Sequence, residues 1–353
     1  MCRWPSQMLR VAIIGAGHVG TIRAQVIMKS SSGRVRLVAD AEFSLAQRLA
    51  ASVGAEASPD PDAVVADSNI DAVVVSTPTK FHRAFAIAAL QAGKHVLCEK
   101  PLGRSVYEAE EIAEAAGRSG KILKTGFNYR YMAHVRKAKQ LLEADAIGEV
   151  MFLRSRYGHG GRPRYEDHWC TDRDLSGGGV LLEQGIHILD LFRHLVGEPA
   201  HIMADASRYF WGFPEVEDNC FLLLKTKSSQ MGQIHVSWTQ WINIFSLEIF
   251  GRDGYLHLTG RDGHYGPQRL VWGKRRADHS RPQEEVLDFP PPEDSWAREW
   301  DDFADAIYGG QLYAGHVEDG LRALELVECA YESAGEQGWV DLSQFRQRLR
   351  STA

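Results

Sequence analysis

Cysteine is scarce in this sequence. Five occur in 353 residues: Cys2, Cys98, Cys170, Cys220 and Cys329, widely scattered and without a Cys-x-x-Cys pair. That pattern excludes a disulfide framework and points to reduced thiols. Cys98 ends the apolar run His95–Cys98 and reads as a small buried hydrophobe rather than a nucleophile. Long apolar runs are also missing. Ala84–Leu90 and Ala72–Val75 fall far short of the roughly 20 residues a membrane helix needs. The opening Met1-Cys2-Arg3-Trp4-Pro5 carries no apolar stretch, so no signal peptide is read and a cytoplasmic protein is expected. An excess of basic charge is absent as well: the net charge is -6, which excludes a non-specific nucleic-acid binder. No internal repeat is present. Hydrophobic residues at 44% and charged residues at 24% match ordinary globular usage, and the length calls for more than one core.

What is present begins as an alternation of strand and helix. Runs Leu9–Ile14, Val35–Ala39, Ala72–Ser76, His95–Cys98 and Ile122–Phe127 read as strands. Helices are expected at 19–29, 44–52, 81–92 and 106–119. The β-branched Ala72–Ser76 has the continuous apolarity of a strand buried on both faces. A doubly wound parallel sheet follows from this rhythm. After residue 127 the rhythm changes, and a boundary is expected there: a nucleotide-binding domain over 1–127 and an α+β substrate and oligomerisation domain over 128–353. The second part reads as a helix at 133–143, a strand at 150–157, a Gly-rich loop at 158–179 and a helix near 181–195. Strand-like segments then follow one another, including a hairpin through Gly251-Arg252-Asp253-Gly254, so a large, mostly antiparallel open sheet is expected. Residues 275–292 read as a surface loop, and two helices, 296–308 and 317–334, close the chain.

Gly15-Ala16-Gly17-His18-Val19-Gly20 matches the G-x-G-x-x-G fingerprint in the context its mechanism requires, after a strand and opening a helix. Gly15 allows the tight turn, Gly17 lets a pyrophosphate approach the helix N-terminus, and Gly20 permits close helix–strand packing. Asp40, about 20 residues further on, is placed to bind the adenosine ribose. A carboxylate there repels a 2′-phosphate, and Ala41 and Glu42 supply no cation, so NAD is expected over NADP.

Glu99-Lys100-Pro101-Leu102-Gly103 adds a second motif. Thr77-Pro78 with His82, Gly126-Phe127-Asn128-Tyr129-Arg130, and the stretch Gly177-Gly178-Gly179 through Glu183, Gln184, His187 and Asp190 extend it. With the fingerprint, these resemble the Gfo/Idh/MocA oxidoreductase family from about Leu9 to Leu342. The resemblance implies an NAD-dependent dehydrogenase or reductase acting on CH–OH groups. Lys100 ends a parallel strand, where open α/β sheets place ligands, and its ammonium suits an oxyanion. His187 is the candidate acid/base, since an imidazole titrates near 6.5 when unperturbed. Helical spacing puts Glu183 and Asp190 on its face. The family's pattern has Asp four residues before this histidine; here Glu183 stands there. Thr77, Pro78, His82, Glu99, Lys100 and Asn128 are cofactor candidates beside the fingerprint. Lys100, Asn128, Tyr129, Arg130, Arg156, His168, Trp169, Gln184 and His187 are substrate candidates. No metal is expected, because His159, His168 and His187 lack short-spaced ligand partners.

The leading expectation is a hydride transfer at a secondary hydroxyl or keto carbon of a sugar or nucleotide-sugar, the 3-hydroxyl of a UDP-N-acetylhexosamine among them. An inositol or polyol dehydrogenase, an NAD-assisted glycosidase and a non-catalytic NAD-binding regulator are the alternatives. No nucleic-acid or membrane partner is expected. Ile234, Val236 and Trp238 alternate onto one strand face, with Trp241 nearby. An open sheet has a second face to cover, so a homo-oligomer, dimer or tetramer, is expected. The resemblance implies assembly through this sheet.

Overall fold

The computed structural model describes residues 8–310 and 313–352; Cys2 and the segment read above for a leader lie outside them. The chain forms two compact units. The first alternates β1 (Leu9–Ile14), α1 (His18–Lys29), β2 (Gly33–Ala39), α2 (Phe43–Val53), β3 (Glu56–Ser58), α3 (Asp62–Ala66) and β4 (Ala72–Val75). It continues with α4 (His82–Gln91), β5 (His95–Glu99), α5 (Val106–Ser119) and β6 (Leu123–Gly126). The six strands are all parallel, in the order β3-β2-β1-β4-β5-β6. This is the doubly wound arrangement whose strand order reverses between β1 and β4. The expected run Ala72–Val75 is fully buried, as a central strand must be. The sixth strand, β3, has no apolar run to betray it: three small or polar residues at the sheet edge.

The second unit holds α6 (Ala133–Glu143), β7 (Val150–Gly158), a wide π-turn (Leu181–Gly185) and α8 (Ile186–Leu195); the single turn α7 (Arg173–Ser176), between β7 and the π-turn in the chain, clusters with the first unit from Asp174 on. Strands β8 (Pro199–Ser207), β9 (Asn219–Thr226), β10 (Met231–Ser237), β11 (Ile244–Gly251), β12 (Gly254–Thr259), β13 (Gln268–Lys274) and β14 (Gln283–Phe289) follow. The chain ends with α9 (Ser295–Gly309), α10 (Val317–Glu336), β15 (Val340–Asp341) and α11 (Leu342–Thr352). The nine-stranded sheet runs β14-β13-β12-β11-β7-β10-β9-β8-β15 and is antiparallel except for the β7–β10 pair.

Several expectations change. By contact, the first unit takes in residues 174–177 and 295–324 besides the chain up to Asn128. The reason is packing: Trp300 and Phe303 of α9 are buried in the core that also holds Ile27 of α1 and Val35 of β2. Residues 283–289, expected in a loop, form edge strand β14; its exposed acidic side chains hide the alternation. A third closing helix, α11, follows the two expected.

One face of the nine-stranded sheet is covered within the chain. Ile234, Val236 and Trp238 are buried within the chain. Gly232 packs on Phe192 of α8, and a Cβ at Gly185 would meet Val236. The uncovered face is the opposite one, which carries exposed Met203, Phe221 and Leu223. Among the described residues no helix is long and apolar enough to cross a membrane.

Candidate active site

In the first unit, the loop after β1 is shaped by its glycines. Gly15 has φ +98°, and a Cβ there would lie 2.6 Å from the Ser76 carbonyl. A Cβ on Gly20 would stand 1.9 Å from the Gly15 carbonyl oxygen, so that glycine is set by helix–strand contact. Gly17 differs: a Cβ there would meet nothing within 4 Å. It precedes the start of α1 without a side-chain cap, leaving the first-turn amides of His18 and Val19 for an anion. Asp40 closes the loop from the end of β2. Its carboxylate accepts from the Ala16 amide at 2.6 Å and from the Glu42 amide at 2.8 Å.

The motif after β4 is bound to the one after β5 through a single side chain. His82 is buried, with Nδ1 2.8 Å from the Pro101 carbonyl and Nε2 2.9 Å from the Thr77 carbonyl. Two carbonyls are satisfied together only by a doubly protonated ring. Burial opposes that and draws its pKa below the ordinary imidazole value, with Lys100 acting the same way and Glu99 against it. The hydroxyl of Thr77 is buried without a hydrogen-bond partner among the described residues, and Pro78 leads into a short 3-10 turn. The open space at Gly17 and the orphaned Thr77 hydroxyl fit a dinucleotide lying across the β1 and β4 ends.

Lys100 follows β5 directly and is half-buried. Glu99 beside it accepts from Arg23 Nε at 2.7 Å. Arg23 also pairs with Glu299 of α9 at 2.6 Å and stacks its guanidinium over Trp296. Arg23 and Glu299 were not read from the sequence, since a lone Arg in a helix and a Glu some 270 residues away carry no local signal. Asn128 is buried and donates to Ser295 Oγ at 3.2 Å.

In the second unit, His187 lies in the first turn of α8 and is 5% exposed. Its ring stacks flat on Tyr129, with centroids 3.8 Å apart and planes 5° apart. The Tyr129 hydroxyl is 2.5 Å from that of Tyr157. Glu183 falls in the π-turn, not in regular α-helix. It lies within electrostatic reach of Tyr165. Gln184 is buried with Oε1 unpartnered among the described residues. Buried Glu217 anchors this segment by accepting from the amides of Gly179 at 3.1 Å and Leu181 at 2.9 Å. Gly179 is required there, because its Cβ would lie 2.2 Å from the Glu217 carbonyl oxygen.

The other substrate candidates have contacts of their own. Arg130 grips Asp190 with two bonds of 2.8 and 2.6 Å, both residues buried, so it braces α8. His168 accepts from Arg162 at 2.9 Å and contacts Cys170 Sγ at 3.0 Å. Burial, then Arg162, holds its pKa down at about 4. Trp169 is half-buried beside it. Arg156 points to the open face of the sheet with His235 and Ser246, opposite to Tyr157 and therefore away from His187. Cys98, Cys170, Cys220 and Cys329 are free and buried, and burial pushes the Cys98 thiol well up.

A six-stranded dinucleotide fold with an open glycine turn, joined to a sheet domain carrying a buried histidine, defines an NAD-binding oxidoreductase. Residues 9–127 match the model of the oxidoreductase family NAD-binding Rossmann fold, and residues 135–257 match the GFO/IDH/MocA C-terminal domain. The chain belongs to the Gfo/Idh/MocA family and is an NAD-dependent oxidoreductase of CH–OH groups. It is 28% identical to myo-inositol 2-dehydrogenase of Thermotoga maritima, over 95% of this chain and 99% of that one. It is 34% identical to D-glucoside 3-dehydrogenase of Escherichia coli over 55% of this chain and 56% of that one. Its fold matches levoglucosan dehydrogenase in complex with NADH and levoglucosan, with a TM-score of 0.85 and 24% identity, over 95% of this chain and 100% of that one.

Proposed function

We propose that this protein transfers a hydride between NAD and a secondary hydroxyl or keto carbon of a sugar, the 3-hydroxyl being the favoured position. The observation that carries the reading is the His187 imidazole, buried and laid flat on Tyr129. In the oxidative direction His187 takes the hydroxyl proton. Tyr129 presents its negative π face to the imidazolium so formed. The Lys100 ammonium offsets the charge developing on the substrate oxygen. NAD, when bound, supplies the hydride acceptor. Glu99 and His82 position Lys100, the first as its neighbour held by Arg23, the second through the Pro101 carbonyl. Asp40 disfavours a 2′-phosphate, so NAD is preferred to NADP.

Similarity to an inositol dehydrogenase over nearly the whole chain supports a second reading, a polyol substrate. A nucleotide-linked sugar is a narrower form of the first. The four buried free thiols accord with a cytoplasmic enzyme. One turnover screen tests all of these: free sugars, methyl glycosides, inositols and UDP-sugars, each with NAD and NADP. NADH formation on one class is expected. Released sugar without net NADH would identify an NAD-assisted glycosidase, and NAD binding without turnover on any class a regulator. Lys100→Met and His187→Ala should each lower kcat by on the order of 100- to 10,000-fold with NAD still bound. A variant that keeps wild-type turnover refutes its assigned role.

A further inference from the structure

Arg261 is a buried cation that the reading above does not use. It follows β12 through Gly260, whose φ of +77° turns the chain; a Cβ there would lie 1.9 Å from the Pro267 carbonyl oxygen. The loop is closed by Arg261 and Asp262 amides, which both donate to the Gly266 carbonyl, at 3.2 and 2.7 Å. The guanidinium is thereby carried among three tyrosine rings: 4.5 Å from Tyr265, 5.3 Å from Tyr129 and 5.9 Å from Tyr157.

Its surroundings offer ring faces and a hydrogen bond to Tyr265, but no counter-charge. Among the described residues no carboxylate forms an ion pair with Arg261, and its Nε is buried without a hydrogen-bond partner. The phenols are neutral: burial raises the pKa of Tyr129 and of Tyr265. His159 is neutral too, since burial first, then Arg162 and Arg261, bring it down to about 4. Cation–π contacts offset part of the cost of burying a guanidinium, and a buried charge ordinarily also takes an anion. Burial is incomplete, so one edge of the side chain can still be reached. Tyr129 is the ring shared between the two groups: it contacts Arg261 and stacks on His187.

We propose that Arg261 determines specificity. The substrate presented to His187 carries an anionic oxygen group, a carboxylate or a phosphate ester, and Arg261 receives it through the part of its guanidinium that remains within reach. This rests on the sugar-oxidoreductase reading and narrows it to acidic sugars.

The test measures binding separately from turnover. The NADH-loaded protein is titrated calorimetrically with D-glucuronate, D-glucose 6-phosphate and D-glucose. At least one anionic sugar should bind tenfold or more tightly than glucose, the two anions distinguishing a carboxylate from a phosphate source. Arg261→Met should bring that ratio to within twofold, while Arg261→Lys should keep an intermediate ratio. If Arg261→Met does not fold, the wild-type ratio and the lysine variant decide. The proposal is overturned if wild type shows less than twofold preference for both anions, or if the preference survives Arg261→Met. Anion-selective binding without NADH formation on any substrate would uphold it and sink the dehydrogenase reading. Turnover of neutral sugars without anion preference would do the reverse.

Discussion

Replacing Arg23 with methionine removes a guanidinium shared by two buried carboxylates. Arg23 is 1% exposed, Glu299 0% and Glu99 6%, and both carboxylates lie 2.6 Å from it. Breaking a buried pair by removing one partner costs about 3–5 kcal/mol. Lys124 also stabilises ionised Glu299, which argues for the lower end. At about 2–4 °C per kcal/mol for a domain of 150–250 residues, a fall in Tm of roughly 6–12 °C is expected. The pH dependence has a definite sign. Burial already raises the pKa of Glu299 and Arg23 opposes it, so the variant raises it further. A carboxyl with a raised folded pKa contributes stability below its unfolded value, near 4.3, and loses it as pH rises through the folded value. The deficit should therefore be smaller at pH 5 than at pH 8. Scanning calorimetry across that range reads it, and Arg23→Met/Glu299→Gln should recover part of the loss by removing both charges. A Tm drop under 2 °C at pH 8, or one independent of pH, would show that water rather than the ion pairs holds the cluster.

Two further expectations separate folding from binding and monomer from assembly. Gly17→Ala places its methyl in open space and should leave Tm unchanged while weakening NADH about tenfold or more, as read by fluorescence titration. Gly20→Ala meets the Gly15 carbonyl oxygen at 1.9 Å and should lower Tm instead; wild-type NADH affinity in Gly17→Ala refutes the cradle. We also expect the open sheet face bearing Met203, Phe221 and Leu223 to be covered by a second copy, with Phe221→Glu dissociating it. Light scattering that gives 39.4 kDa at every concentration would refute this.

The nucleotide half was legible because its signals are local. Gly15, Gly17 and Gly20 act within one turn, Asp40 lies at a set distance beyond them, and a strand buried on both faces must be apolar, as Ala72–Val75 is. Glu99-Lys100-Pro101 could be singled out for a related reason: the motif is contiguous and lies at the end of β5. The short edge strands β3 and β14 were not legible, since an exposed strand is free to carry polar residues that break the pattern. Nor was the return of α9 to the first core, because burial of Trp300 against α1 depends on a chain reversal some 270 residues later.

Tertiary structure alone decided the partnerships of charge. Arg130 and Arg156 look alike as candidates, yet one is bonded to Asp190 and the other stands on the opposite face of the sheet. A one-residue step along a strand changes the face, and only the neighbouring strands say which face is covered. Arg261 could not be singled out in the sequence for the same reason. Its three tyrosines come from positions 129, 157 and 265, and a cage assembled from distant segments exists only once the sheet brings them together.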